Sequence, residues 1–196
     1  MIRFCVGLFC LLMTTCTFAF PYYVSQDVLT EIEEHKAIYE QYPTSNKAMF
    51  DLAMSYAYSG QILKGWKLLK QIPESYAPIV VKEYEAAMKE DPLEWRHPFK
   101  CAFGYFFKGE KQKAIALFQR VVDIDPKQVW GYGFIGLVYG EMGEVDEAIK
   151  YCKLGLKVEP NATAIHFLLG EAYRKKGKYF RAFRQFLKVG RLQKKH

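Results

Sequence analysis

Cysteine is scarce wherever the chain could fold. Of five in 196 residues, Cys5, Cys10 and Cys16 lie in the first sixteen, leaving Cys101 and Cys152, too few for a disulfide framework. No segment keeps strand-type alternation beyond a few residues, and no low-complexity linker divides the chain. Acids are missing near the end: Arg174 to His196 holds ten Lys or Arg and no Asp or Glu, whereas residues 20 to 173 hold seventeen Lys or Arg against all twenty-one acids. A mildly acidic body thus ends in a strongly basic cap. Apolar material is plentiful, 51% of residues with 14 Tyr, 15 Phe and 3 Trp. That excludes disorder and a collagen-like chain, and suits one ordinary domain or a short repeat array.

The opening MIRFCVGLFCLLMTTCTFAF sets Arg3 before an apolar or neutral run that ends with the small residues Thr17 and Ala19. This is the pattern of an export signal, expected over residues 1–19 with cleavage near Ala19, which directs the protein to a periplasmic, secreted or secretory-pathway location. An uncleaved anchor is the alternative, but the seventeen residues from Phe4 to Phe20 stand at the bottom of the roughly 17 to 25 that span a bilayer. Lipidation at Cys16 is a third reading, poorly matched by Met13, Thr14 and Thr15.

Self-comparison reveals a period of 34. Ala102, Gly136 and Gly170 obey it, as do Tyr105, Tyr139 and Tyr173; Gly109, Gly143 and Gly177; Ala114, Ala148 and Ala182; Phe118, Cys152 and Phe186; and Pro92, Pro126 and Pro160. Within each period apolar residues recur at three and four, in two short segments, so each unit is a helical hairpin. Gly143 falls at the reversal, where positive φ is useful. Asp125 and Glu159 precede prolines, which pushes them out of helical geometry. Small residues at 136 and 148 let the paired backbones approach.

This order of small residue, aromatic, turn glycine, alanine, aromatic and closing proline resembles the tetratricopeptide repeat family. The likeness covers residues 129–162 best, then 95–128 and 163–194, and 46–73 with less fidelity, since Gly65 replaces the alanine and Pro73 comes early. Tyr56 to Tyr105 spans 49 residues, 15 more than one period; the excess is assigned to an inserted helix over Tyr76 to Asp91. The expected organisation is a capping helix in 20–45, a degenerate repeat with the insert in 46–94, repeats at 95–128 and 129–162, and a last repeat with a basic capping helix in 163–196. The fold class is all-α: antiparallel helix hairpins stacked, by resemblance, in a right-handed superhelix.

Chemistry-bearing motifs read blandly. Gly131 to Gly136 satisfies the GxGxxG spacing of dinucleotide sites, but no strand precedes it and Gly136 holds the repeat's own small-residue position. His97 and Cys101 stand four apart, yet His166 lies two repeats away, out of reach of a common metal. No nucleophile, base and orienting group assemble; no enzyme activity, cofactor or metal is expected. Asn161-Ala-Thr163 is a glycosylation sequon, with Thr163 expected to cap the following helix.

The aromatic stripe is the informative feature. Phe99, Phe103 and Phe106, with Phe107 beside them, share one helix face; Trp130, Phe134 and Leu137 do the same one repeat on, and Phe167 follows. By resemblance this stripe faces the concave side of the superhelix. Left in water, such a row forfeits on the order of 10 kcal/mol of available burial. The expected partner is therefore an apolar peptide or helix of another protein seated in the groove. In a competing reading, the inserted or N-terminal helix fills the groove from within. Family members that bind acidic C-termini use Lys, Asn and Arg on these inner helices, where Phe99 and Phe103 stand here. A second function class is structural, with the repeats closing a homo-oligomer. The terminal helix carries Arg174, Lys175, Lys178, Arg181, Arg184, Lys188 and Arg191 around a seam of Tyr179, Phe183, Phe186 and Leu187. It reads as a solvated cap or as a contact for an acidic protein or an anionic membrane; nucleic acid is not an expected partner.

Overall fold

The computed structural model describes residues 24–193, and among these all regular structure is helical. The expected signal over 1–19 lies outside the described residues. The order is α1 (Gln26–Gln41), α2 (Asn46–Tyr58), α3 (Ile62–Leu69), a 3-10 turn at Glu74–Tyr76, α4 (Ala77–Glu90), α5 (Arg96–Phe107), α6 (Lys111–Ile124), α7 (Val129–Met142), α8 (Val145–Val158), α9 (Thr163–Lys175) and α10 (Tyr179–Gln193). Helices α5/α6, α7/α8 and α9/α10 form successive hairpins, each stacked on the next. Gly143 turns α7 into α8 at φ +85°, a left-handed conformation that costs a residue with Cβ about 1–2 kcal/mol. The paired helices touch closely where the small residue of the first faces the ring or thiol of the second. A Cβ on Gly136 would sit 2.8 Å from Cys152 Sγ, and one on Gly170 2.5 Å from the Phe186 ring.

Helix α4 is in phase with these hairpins. Val80 and Tyr84 precede Ala114 and Phe118 by one period, and Asp91, Asp125 and Glu159 all leave the helix extended before a proline. The carboxylates of these three residues accept from the backbone N–H of Leu93, Lys127 and Asn161 in the same two-residue turn. The extra helix is thus the second half of a repeat, packed on α5 as α6 packs on α7. The irregularity lies just before it. Helix α3 occupies the number range of the missing first half, but it pairs back onto α2, where a Cβ on Gly65 would stand 2.7 Å from the Ala53 carbonyl oxygen.

Released from the stack, the α2/α3 hairpin lies across the inner face of the array. Helix α2 covers the start of α5, with Tyr58 edge-on to Trp95 and Phe99 at 5.1 and 5.4 Å. Helix α3 runs on: Trp66 stacks on Phe107 at 6.2 Å, and Leu63 packs with Phe167 and Val189. The core beneath is an aromatic tetrad from α5, α6 and α7. Phe99, Phe103, Phe118 and Phe134 are all within 4.8–5.6 Å of one another, centroid to centroid, and each such pair adds about 0.5–1.5 kcal/mol beyond its area.

Candidate functional site

The inner face is only partly filled. Between α3, α5, α7 and α9 remains an apolar cleft of about 280 Å³, walled by Ile62, Trp66, Phe103, Phe106, Trp130, Phe134, Leu137 and Phe167 among others. The hairpin period explains why these residues converge: first helices line the inner side, and every fourth or third residue of α5, α7 and α9 points the same way. Helix α3 supplies the fourth wall through Ile62 and Trp66.

Six of the eight expected groove residues therefore line one cleft: Phe103, Phe106, Trp130, Phe134, Leu137 and Phe167. The other two do not. Phe99 is fully enclosed by Tyr58, Trp95 and the rest of the tetrad, so it is core and no partner can touch it without moving α2. Phe107 is half-buried under Trp66. An open row of rings is absent because the chain covers it, and the cover is the α2/α3 hairpin rather than the inserted or N-terminal helix.

The mouth of the cleft is polar. Glu141, Glu171, Arg174 and Lys175 border it; Arg174 pairs with Glu171 at 2.7 Å, Lys175 donates to the Gly140 carbonyl, and Lys111 stands 3.6 Å from Glu141. Burial raises the Glu141 carboxyl above the ordinary range despite Lys111. Two buried atoms of the lining, Trp66 Nε1 and Glu141 Oε1, have no hydrogen-bond partner. Of the expected basic residues, Arg174 and Lys175 thus belong to this mouth, while Lys178, Arg181, Arg184, Lys188 and Arg191 are exposed on or beside α10.

A part-buried polar seam escapes any reading of sequence spacing. Arg96 on α5 reaches Glu31 on α1 at 2.9 Å and also binds Asp27 and Glu94. Lys100, one turn on, lies 3.5 Å from Asp51 and 3.8 Å from Glu31. Tyr58 donates to Glu31, Tyr84 donates to Asp51 at 2.9 Å, and His35 Nδ1 meets Ser55 Oγ at 2.6 Å. Burial would raise the Asp51 carboxyl, but Lys100 and Lys47 together hold it below the usual range. Burial and the Lys100 charge push His35 down. The seam fastens α1 and α2 to α5. Its signal was the pair of cations at 96 and 100 facing acids some 50 to 70 residues upstream, which periodicity does not register.

Groups with chemical potential elsewhere are occupied. Cys101 and Cys152 are buried thiols, both pushed up to about 12, chiefly by burial. Buried His166 is satisfied by Gln185 and the Pro160 carbonyl. Thr163 is the first residue of α9 rather than its cap, and its hydroxyl donates to Asn161. Among the described residues no group of three or more His, Cys, Asp or Glu is placed to hold a metal, and no helix is long and apolar enough to cross a membrane.

Comparison of the whole chain with curated proteins finds no match. The tetratricopeptide repeat family model matches residues 105–128 and 131–162. Among solved structures, a crystal structure of MamA is 22% identical with a TM-score of 0.53, covering 89% of this chain and 98% of that one. A second MamA crystal structure is 23% identical with a TM-score of 0.52, over 86% and 84% of the two chains. MamA MSR-1 follows at 18% identity and a TM-score of 0.53, over 85% and 94%. At such identities the likeness speaks for the fold. The chain carries tetratricopeptide repeats within an all-helical solenoid.

Proposed function

We propose that this protein is a non-catalytic binding module that seats one bulky apolar side chain of a partner polypeptide in the cleft between α3, α5, α7 and α9. One observation carries this reading: the cleft stays open although α3 already covers much of the inner face. Its volume is just under the roughly 300–1,000 Å³ of small-molecule sites, so it suits a single anchor residue rather than a whole helix laid along a groove. Aromatic walls inside a polar rim are the arrangement in which one anchor supplies most of the binding energy. The unpaired Trp66 N–H and Glu141 oxygen add a donor and an acceptor, the complement of a peptide group.

The same reading includes export with cleavage near Ala19, supported by the run from Phe4 to Phe20 after Arg3. N-terminal sequencing of the protein from its host tests that part separately.

Because the rings also form the core, removing them confounds binding with folding. Filling the cleft avoids this. Gly140 lines it, and a Cβ there meets nothing closer than 3.8 Å. Gly140→Leu is expected to abolish partner capture while leaving the fold as stable or up to about 1 kcal/mol more stable, since glycine is a poor helix former. Undiminished capture by a folded Gly140→Leu protein would refute the cleft as the site. If the partner is a second copy, sedimentation shows a concentration-dependent dimer that the same variant dissolves.

A further inference from the structure

From the geometry of α10 we infer a second surface, which docks on an anionic lipid bilayer. Helix α10 buries Ala182 and Val189 against α9 and turns Tyr179, Phe180 and Phe183 outward, at 70%, 75% and 57% exposure, with Leu187 beside them. At about 100° per residue, those four side chains fall within a single arc of roughly 100°. Arg191, Arg184, Lys188 and Arg181 fill the next arc of similar width. Among the described residues Lys178, Arg184, Lys188 and Arg191 make no ion pair.

The apolar arc is peculiar to this repeat. Phe183 stands where Ile115 and Ile149 are covered by the following hairpin, so its exposure follows from its place in the stack. The others have no such explanation. Phe180 replaces Gln112 and Asp146, and Leu187 replaces Gln119 and Lys153; Lys178 replaces Glu110 and Glu144, and Arg191 replaces Asp123 and Lys157. Polar positions have become apolar on α10 and an acidic one basic just before it, while Arg184 and Arg191 keep the cation of Lys150 and Lys157.

A shallow hollow lined by Tyr173, Arg181, Arg184 and Gln185 includes two arginines, and the guanidinium of each is a fork that suits phosphate oxygens. Rings that enter the acyl boundary and cations at headgroup level together describe an interfacial helix. An acidic protein would match the charge but leave Phe180 and Leu187 without a complementary pocket.

The test uses the full chain, whose apolar N-terminal segment is common to every variant. Flotation is measured with vesicles of phosphatidylcholine and phosphatidylglycerol, and with phosphatidylcholine alone. Arg184→Gln with Lys188→Gln is expected to lower partition onto the anionic vesicles about 25-fold at low salt, about fivefold for each cation. Phe180→Ser with Phe183→Ser is expected to lower it more than tenfold. In the unaltered protein, anionic vesicles should shield Lys178 and Lys188 from acetylation and leave Lys150 reactive. Parent-like partition of either variant overturns the proposal. So does shielding of the same lysines by soluble polyglutamate as strong as that by vesicles, which would assign the surface to an acidic polypeptide.

Discussion

At the N-terminal end of the array, rings and cations are closed over. Tyr58 and Trp95 cover Phe99, and Arg96 and Lys100 are held by Glu31, Asp27 and Asp51. At the C-terminal end Tyr179, Phe180 and Phe183 stand in solvent beside Arg184, Lys188 and Arg191, which among the described residues meet no acid. The residue types are alike; what differs is whether the chain supplies the complement. Upstream, α1 and α2 bring both carboxylates and rings. Downstream of Glu171 there are no acids at all, so the same chemistry is left available to another surface.

The contrast predicts where substitutions hurt. Phe99→Ala removes the one ring that touches Tyr58, Trp95 and the other three members of the tetrad, and is expected to cost about 3–5 kcal/mol in urea unfolding. Glu31→Ala removes the carboxylate that Arg96 and Lys100 share in a part-buried site, leaving Arg96 to Asp27 and Glu94 and Lys100 to Asp51. A fully buried pair broken this way costs about 3–5 kcal/mol; with side chains of 10–20% exposure about 2 kcal/mol is expected. Hydrogen exchange should place the loss in α1 and α2, with α7 and α8 still protected.

The seam also makes stability depend on pH. The folded chain holds His35 below its ordinary 6.5, so on unfolding it takes up a proton more readily. The stabilisation is complete above about pH 6.5 and is lost as pH falls from there through the lower folded value. Asp51, held below 3.8, contributes stability that is present above about pH 4 and disappears only in stronger acid. The urea midpoint should therefore decline between about pH 7 and 5, and His35→Gln should flatten that limb while leaving the acid limb intact.

The repeat and its hairpins were legible because they are periodic. Gly109, Gly143 and Gly177 sit where positive φ is needed, and Pro126 and Pro160 where helices end. The aromatic stripe was legible for the same reason, and six of its members do converge. Long-range folding back was not. Nothing in the spacing of Leu63 and Trp66 shows that α3 leaves the stack to meet Phe107 and Phe167. Pro92, a period before Pro126, marked α4 as a regular second helix, but the count from Tyr56 to Tyr105 made it look like an insertion. The ambiguity arises because α3 can be numbered with either neighbour, and only packing against Ala53 decides.

The smallest expected effect is the most discriminating. Phe180→Ser with Phe183→Ser changes two large apolar residues, as Phe99→Ala changes one, yet both lie mostly in water and touch little of the core. Surface substitutions of this kind stay within about 0.5 kcal/mol, so the urea midpoint and helical circular dichroism should match the parent. A loss above about 1 kcal/mol would mean that these rings are already covered in the folded protein, either by the chain's own residues or by a second copy. Protein concentration separates the two, because only self-association makes the midpoint rise with it. An unchanged midpoint at every concentration leaves the rings of α10 free, unlike those under α2, and keeps the difference between the two ends a difference in what each can bind.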